Sequence, residues 1–218
     1  MKFSQRTIKE FKSIHSAIKP EITKRLSEFK SLWRSGAGDK LFHELIFCLL
    51  TPQSNAKQCW RAVGELSDKD LVFTGDAKTL AKNLRRTRFR NNKARYVCEA
   101  RGCFVKGGKV VIKVALSAFK DPIEAREWLV KNVKGYGYKE ASHFLRNIGH
   151  GDNIAILDRH ILKNLKRAGV IKEIPKSISR KVYLDIEEKM RKFAKRINIP
   201  LDHLDFVLWY KEAGEVFK

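Results

Sequence analysis

The sequence predicts an all-α protein of roughly ten helices, on three observations. Apolar residues recur at steps of three and four along most of the chain. Asp, Ser and Pro stand where those runs begin, as caps and first-turn residues do. Only Lys109–Val114 (KVVIKV) has the β-branched character of a strand, and one such run in a helical setting does not predict a sheet.

The elements follow in order. Ile8, Phe11, Ile18, Ile22, Leu26 and Phe29 share a helical face, with Pro20 placed to open a second helix within it. Leu41–Leu50 is apolar on nearly every side, as a helix in the middle of a bundle is, and stops at Thr51-Pro52. Ser54 is placed to cap the next helix, whose inward face carries Cys59, Trp60, Val63 and Leu66. Asp76 begins a short helix through Leu80 and Leu84. A basic stretch, RRTRFRNNKAR (85–95), leads into a helix to about Ala100, and Gly102 to Gly108 read as a loop. Asp121-Pro122 is a capped start for a helix that turns Trp128, Leu129 and Val133 inward. Pro175 is placed to open a long basic helix with Ile178, Val182, Ile186, Met190, Phe193 and Ile197 on its apolar face. Pro200 opens a last helix bearing Leu201, Leu204, Val207 and Leu208, and GEVFK forms a tail. No repeat, low-complexity segment or long linker interrupts the pattern.

Charge narrows the function classes. The 218 residues hold 46 Lys and Arg against 24 Asp and Glu, a formal net charge of +22. With 43% hydrophobic residues the chain is no disordered basic tail, so a globular domain bears the charge. Self-repulsion of this size points to a polyanionic partner. The longest apolar run is far short of the roughly 20 residues of a membrane span, and the N-terminal residues lack an apolar signal core. An intracellular nucleic-acid-binding protein is the expectation. The cysteines Cys48, Cys59, Cys98 and Cys103 form no C-x-x-C pair or cluster, so neither a structural metal nor an iron–sulfur centre is expected.

The informative stretch is VKGYGYKEASHFLRNIGHGDNIAILDRHILKNL (133–165). A helix ends near Val133, Gly135 and Gly137 flank one aromatic residue in a tight turn, and a new helix starts near Tyr138. The glycines leave no side chain to hold off an approaching surface, and amides at a helix start suit a phosphate. The new helix packs Ala141, Phe144, Leu145 and Ile148 inward. Such a helix–hairpin–helix grips a nucleic-acid backbone without reading its sequence. Lys139 stands in the first helical turn, where a cation is mildly destabilising and a functional role explains its presence. Asp158 closes the apolar run Ile154–Leu157 and is an N-cap candidate for the helix RHILKNL. Taken singly, each has a plain reading, a phosphate-binding lysine and a cap; together, beside a DNA-gripping hairpin, they form an amine–carboxylate pair.

This segment resembles the helix–hairpin–helix DNA glycosylases in its hairpin, in Lys139, and in the Asp158-Arg159-His160 start that follows Lys139 by 19 residues. LLTPQSNAKQCW (49–60) is similar to that family's lesion-facing segment. Lys134 stands where the family usually has proline, and Tyr136 where it has an aliphatic residue. No cysteine follows Cys103, which sets the chain apart from the branches with a C-terminal iron–sulfur cluster, and there is no room for an N-terminal β-rich domain. LLTPQSNA, RFRNNKARY and KGYGYKEASHFLRN look like the compact, archaeal-type 8-oxoguanine DNA glycosylase/AP lyases.

The resemblance implies two helical subdomains with an active-site cleft between them: residues 39–149, ending in the hairpin, and residues 1–38 plus 150–218. It implies that Lys139 attacks the sugar C1′, displaces the oxidised base and forms a Schiff base, and that β-elimination then cuts the strand, with Asp158 stabilising the developing positive charge. Gly135, Gly137 and Lys134 would grip the backbone, and Gln53 and Asn55 would face the estranged base. Trp209 and Lys218 would recognise the extruded base. The partner implied is duplex DNA containing oxidised bases, bound by a monomer, in the cytoplasm or nucleoid. No cofactor is implied beyond a monovalent cation on the hairpin backbone. The basic residues of 85–95, with Lys131, Lys134 and Arg146, would supply sequence-independent grip. Three alternatives stay open from sequence: a non-catalytic helix–hairpin–helix DNA-binding protein, a basic RNA-binding protein, and a glycosylase for oxidised pyrimidines.

Overall fold

Ser4 caps a helix that runs unbroken over Gln5–Ser35 (α1), and Gly36 ends it in the left-handed conformation. The computed structural model describes residues 3–218, and eleven further helices follow α1 there. They are α2 (Gly38–Leu50), α3 (Ala56–Asp68), α4 (Leu71–Thr74), α5 (Ala77–Asn83), α6 (Arg90–Phe104), α7 (Ile112–Ser117), α8 (Pro122–Asn132), α9 (Tyr138–Asn147), α10 (Arg159–Ala168), α11 (Arg180–Ile197) and α12 (Leu201–Ala213). Between α6 and α7 lies a small antiparallel hairpin, β1 (Val105–Lys106) and β2 (Lys109–Val110), with Val105 paired to Val110. The protein is all-α, as its periodicity predicts.

Four local expectations are corrected. Pro20 opens no new helix but sits inside α1. It lies on the exposed face, as does Ser16, whose carbonyl loses its helical donor and meets water instead. Packing of Phe11, Ile18, Ile22 and Phe29 along the opposite face holds the helix together. Asn55, not Ser54, caps α3 by accepting from the Gln58 amide at 3.1 Å. Helix α6 begins at Arg90, within the basic stretch, and runs on to Phe104, so the loop expected from Gly102 shrinks to the Gly107-Gly108 turn of the hairpin. Pro175 lies in a connection; Ser179 caps α11, which leaves Ile178 outside the helix and 39% exposed.

Two apolar cores form. The first surrounds α2, whose residues Leu41–Leu50 are all buried except His43, and gathers α3 to α9. The second joins α1 to α10, α11 and α12. The chain passes from one to the other at about residues 30–40, again at 154–155, and once more in the tail, where Val216 packs in the second core and Phe217 against the first.

Between the cores lies a seam of buried ion pairs. Arg126 of α8 meets Glu187 of α11 in a two-pronged contact of 2.6 and 2.9 Å. Arg146 of α9 meets Asp205 of α12 at 2.5 Å, and Lys218 of the tail meets Glu44 of α2. The two arginine pairs each take one partner from each core. Glu187 also accepts from the Ala155 amide at 2.8 Å. The Tyr183 hydroxyl donates to Ala155 O at 2.6 Å and accepts from the Leu157 amide at 3.2 Å. The extended segment before Asp158 is thereby fixed by groups that no local pattern signals. Arg126 is fully buried, so Arg126→Met leaves the buried Glu187 carboxylate with only the looser Arg191 ion pair at 3.6 Å and is expected to destabilise by about 3 kcal/mol. Urea unfolding of the two proteins checks this, and the pair of changes Arg126→Met and Glu187→Met together is expected to cost much less.

Candidate active site

Helix α2 ends where Thr51 folds back, its hydroxyl donating to Cys48 O at 2.8 Å. The turn that follows is clasped by Lys93 of α6, which is 4% exposed. Its Nζ donates to Leu50 O at 2.7 Å, Pro52 O at 2.9 Å and Ser54 Oγ at 2.9 Å. Burial pushes the Lys93 ammonium down to about 8, while those three acceptors favour its charged form. Lys93 is therefore occupied in holding the turn, and the expectation that the whole basic stretch grips DNA is corrected at this residue. Ser54 Oγ also accepts from the Arg88 amide at 3.0 Å, joining the turn to the 87–89 loop.

The hairpin presents Lys139. Gly135 is left-handed at φ +88, and a Cβ there would stand 2.5 Å from the Tyr96 ring. Gly135→Ala is thus expected to destabilise by roughly 1–2 kcal/mol from the backbone alone and to weaken DNA binding; thermal melting and titration with a duplex check it. Gly137, at φ −106, is not strained, and its amide donates to Glu140 Oε2 at 3.1 Å. The Tyr136 side chain does not face outward but is buried, its hydroxyl donating to Leu45 O at 2.8 Å. This anchors the turn to α2. Lys134 and Gly135 are exposed at its tip. Nζ of Lys139, one residue into α9, donates to Thr51 Oγ1 at 2.9 Å and lies 3.7 Å from Glu140.

Asp158 comes from the other core. Its Oδ1 accepts from the amides of His160 and Ile161, both at 2.8 Å, so it caps α10. Its second oxygen makes no hydrogen bond among the described residues. Lys139 and Asp158 border one cleft of about 830 Å³, together with Gln53, Asn55, Trp209 and Lys218. They are not ion-paired to each other among the described residues.

The remaining expected residues are placed as follows. Gln53 is exposed and left-handed at φ +52, an unusual conformation for a side-chain-bearing residue. Asn55 is exposed with its oxygen committed to the α3 cap. Trp209 is half-buried and edge-on to His160, with ring centroids 5.3 Å apart. The tail is not frayed: Val216 is buried, and the Lys218 ammonium lies 3.6 Å from the Trp60 ring centroid. Arg146 is 5% exposed and paired with Asp205, so its expected role in gripping phosphate is also corrected. Burial pushes the Asp205 carboxyl up to about 6, against the pull of Arg146.

Two features escape the linear pattern. Phe89 is 54% exposed and left-handed at φ +57, on the loop tied to the Thr51–Ser54 turn. An aromatic residue between arginines was its only signal in the sequence. A more open groove of about 630 Å³ runs along α5 and α6, lined by Lys78, Lys82, Arg85, Arg90 and Arg95. Its lining has cations but no acid, base or nucleophile pair, so it suits a phosphate backbone, whereas the cleft that Lys139 and Asp158 border combines an amine with a carboxylate.

Residues 22–199 match the family model described as 8-oxoguanine DNA glycosylase, Ogg-HhH. The chain is 47% identical over 209 residues to a Fusobacterium nucleatum protein named 8-oxoguanine DNA glycosylase/AP lyase, covering 96% of each. Among solved structures it resembles the Methanocaldococcus jannaschii 8-oxoguanine glycosylase/lyase in complex with a 15mer DNA containing 8-oxoguanine. There the TM-score is 0.87, with 39% identity over 97% of this chain and 99% of that one. The 8-oxoguanine DNA glycosylase of Thermotoga maritima gives the same TM-score of 0.87 at 38% identity, covering 98% of this chain and 99% of that one.

Proposed function

The chain belongs to the 8-oxoguanine DNA glycosylase family, and on that premise we propose that Lys139 is its nucleophile and Asp158 the carboxylate that supports it. It is a DNA glycosylase and AP lyase acting on 8-oxoguanine. One observation carries the assignment of residues: Lys139 and Asp158, from helices of different cores, border the same cleft.

The target nucleotide leaves the stack at a cost of a few kcal/mol, since C1′ is out of reach inside a duplex. The unprotonated Nζ lone pair then attacks C1′, and the N-glycosidic bond breaks with its electrons going to the base, which leaves after gaining a proton. Positive charge develops on the sugar during this step, and the Asp158 carboxylate stabilises it. Ring opening gives an imine between Nζ and C1′. The imine acidifies the C2′ proton; its loss expels the 3′ phosphate and cuts the strand. Thr51 holds the amine in place before the sugar arrives.

Around this centre, Gln53, Asn55 and the exposed Phe89 face the gap in the stack, while Trp209 and Lys218 border the space for the extruded base. Lys134, Gly135 and Gly137 meet the backbone. The carbonyls of Lys134, Gly135 and Tyr136 accept no hydrogen bond among the described residues, which fits a monovalent cation there. Among the described residues no group of three or more His, Cys, Asp or Glu side chains is arranged to hold a metal ion, and no helix is long and apolar enough to cross a membrane. Action as a monomer, on duplex DNA inside the cell, completes this reading.

The test is a nicking assay with borohydride present. Duplexes carrying 8-oxoguanine or an abasic site are expected to yield a covalent adduct, and undamaged duplexes none. Excision of 8-oxoguanine with no trapped adduct would overturn the Schiff-base route. Cleavage of duplexes with oxidised pyrimidines in preference to 8-oxoguanine would overturn the substrate.

A further inference from the structure

Most polar groups of the cleft already have partners. Lys139 is bonded to Thr51, Lys218 to Glu44, Arg146 to Asp205, and Asp158 to two amides. His143 stands apart from these. It is 6% exposed and borders the cleft, yet neither ring nitrogen has a hydrogen-bond partner among the described residues. The main chain at Lys218 lies against the ring, close enough to favour its protonated form but outside hydrogen-bond geometry. Phe47 packs edge-on against it with centroids 5.4 Å apart, which fixes the ring without satisfying it. Trp209 Nε1 and Asp205 Oδ1 are likewise buried, unpartnered and at the same cleft. Buried polar atoms without partners are rare in native proteins and costly, so three groups unsatisfied around one cavity point to a polar ligand that satisfies them.

Position identifies which part of the substrate that is. His143 follows Lys139 by one turn of α9, on the same face, about 5–6 Å along the helix. An extruded nucleotide with C1′ at Lys139 Nζ has its base attached to that carbon. The sugar and phosphates stay toward the hairpin, at the start of α9, so the base occupies the inner part of the cleft where His143 and Trp209 lie. We propose that His143 is a specificity-determining residue, which hydrogen-bonds the extruded base and so couples recognition of the base to the adjacent nucleophile. Burial, followed by the charges of Arg146 and Lys139, holds the imidazole well below its ordinary range. The neutral ring offers one donor and one acceptor, as a purine edge carrying carbonyl oxygens and ring N–H groups requires. A cation would offer only donors.

This inference rests on Lys139 as the nucleophile, and its test separates the two. An abasic site has no base, so its cleavage requires Lys139 but makes no use of a hydrogen bond to a base. Single-turnover rates are measured for each protein on 8-oxoguanine and abasic duplexes, and their ratio is compared. His143→Phe keeps the aromatic contact with Phe47 and removes both polar atoms; its ratio of excision to abasic cleavage is expected to fall about tenfold or more. His143→Leu is read in the same way, so that one variant failing to fold leaves the other. His143→Gln, which keeps a donor and an acceptor, is expected to restore most of the ratio. A ratio within about twofold of the parent in the apolar variants, or parallel loss of both activities, overturns the proposal. A parent protein that cleaves neither duplex overturns the Lys139 assignment, and the role of His143 falls with it.

Discussion

Lys139→Gln is expected to trap no adduct with borohydride and to lose both excision and strand cleavage, by on the order of 10⁴-fold or more. The size follows from what is removed. A Gln side chain still donates a hydrogen bond to Thr51 Oγ1, now occupied by Lys139 at 2.9 Å, so the turn after α2 keeps its partner. Its amide nitrogen has no nucleophilic lone pair, so the covalent route closes rather than slows. Stability should change little, because Lys139 meets Glu140 only at 3.7 Å and an amide can take its place as a donor toward Thr51. Binding to lesion DNA should persist, since the hairpin glycines and the cations of α5 and α6 are untouched. Single-turnover excision with gel-resolved trapping measures the first part, and a binding titration the second. Strand cleavage near the parental rate would move the nucleophile to another group.

Asp158→Asn separates two roles that one carboxylate combines. As a cap, Asp158 uses only Oδ1, which accepts two amides at 2.8 Å; an Asn oxygen can accept the same bonds. As an electrostatic group it offers a negative charge to a sugar becoming positive, which an amide does not. Excision is therefore expected to fall by about 10²–10³-fold, while stability changes by less than about 1 kcal/mol. Asp158→Ala should show the same catalytic loss with a further destabilisation of about 0.5–2 kcal/mol from the missing cap. Urea unfolding alongside single-turnover rates distinguishes the effects. An Asn variant that is as active as the parent would reduce Asp158 to a cap.

Where local chemistry sets the outcome, the linear pattern was sufficient. Asp76, Asp121 and Asp158 cap the helices they were expected to cap, because a side-chain oxygen beside free amides needs no distant partner. The apolar residues expected inward on α9 and α12 are all buried, but so are Ser142, His143, Arg146, Asn147, Asp205 and Phe206, which the periodicity did not mark. Where two local signals compete, the pattern was less informative. Pro20 and Pro175 carry the same first-turn signal, yet one lies within α1 and the other outside α11. Whether a helix tolerates an interior proline depends on the face it occupies and on what packs opposite, and that is set by other helices. Ser54 and Asn55 are both good caps; Lys93, 39 residues away from Ser54, took the serine and left Asn55 to the helix.

The site divides along the same line. By itself the sequence determined the all-α class, the cationic surface, the hairpin with its two glycines, and Lys139 and Asp158 as the pair to watch. Each of these follows from residue type and short-range spacing. Only the tertiary structure decided which charges are free to meet DNA. It withdrew Lys93 and Arg146 into the interior, turned Tyr136 inward, and left Phe89 exposed. It alone brought Asp158 to the cleft that Lys139 borders, through Glu187 and Tyr183 on the segment 154–157 and through ion pairs that join two apolar cores. The physical reason is the range of the forces involved. Capping and backbone conformation act within a turn of chain, whereas burial of a charge depends on which distant partner arrives to pair with it.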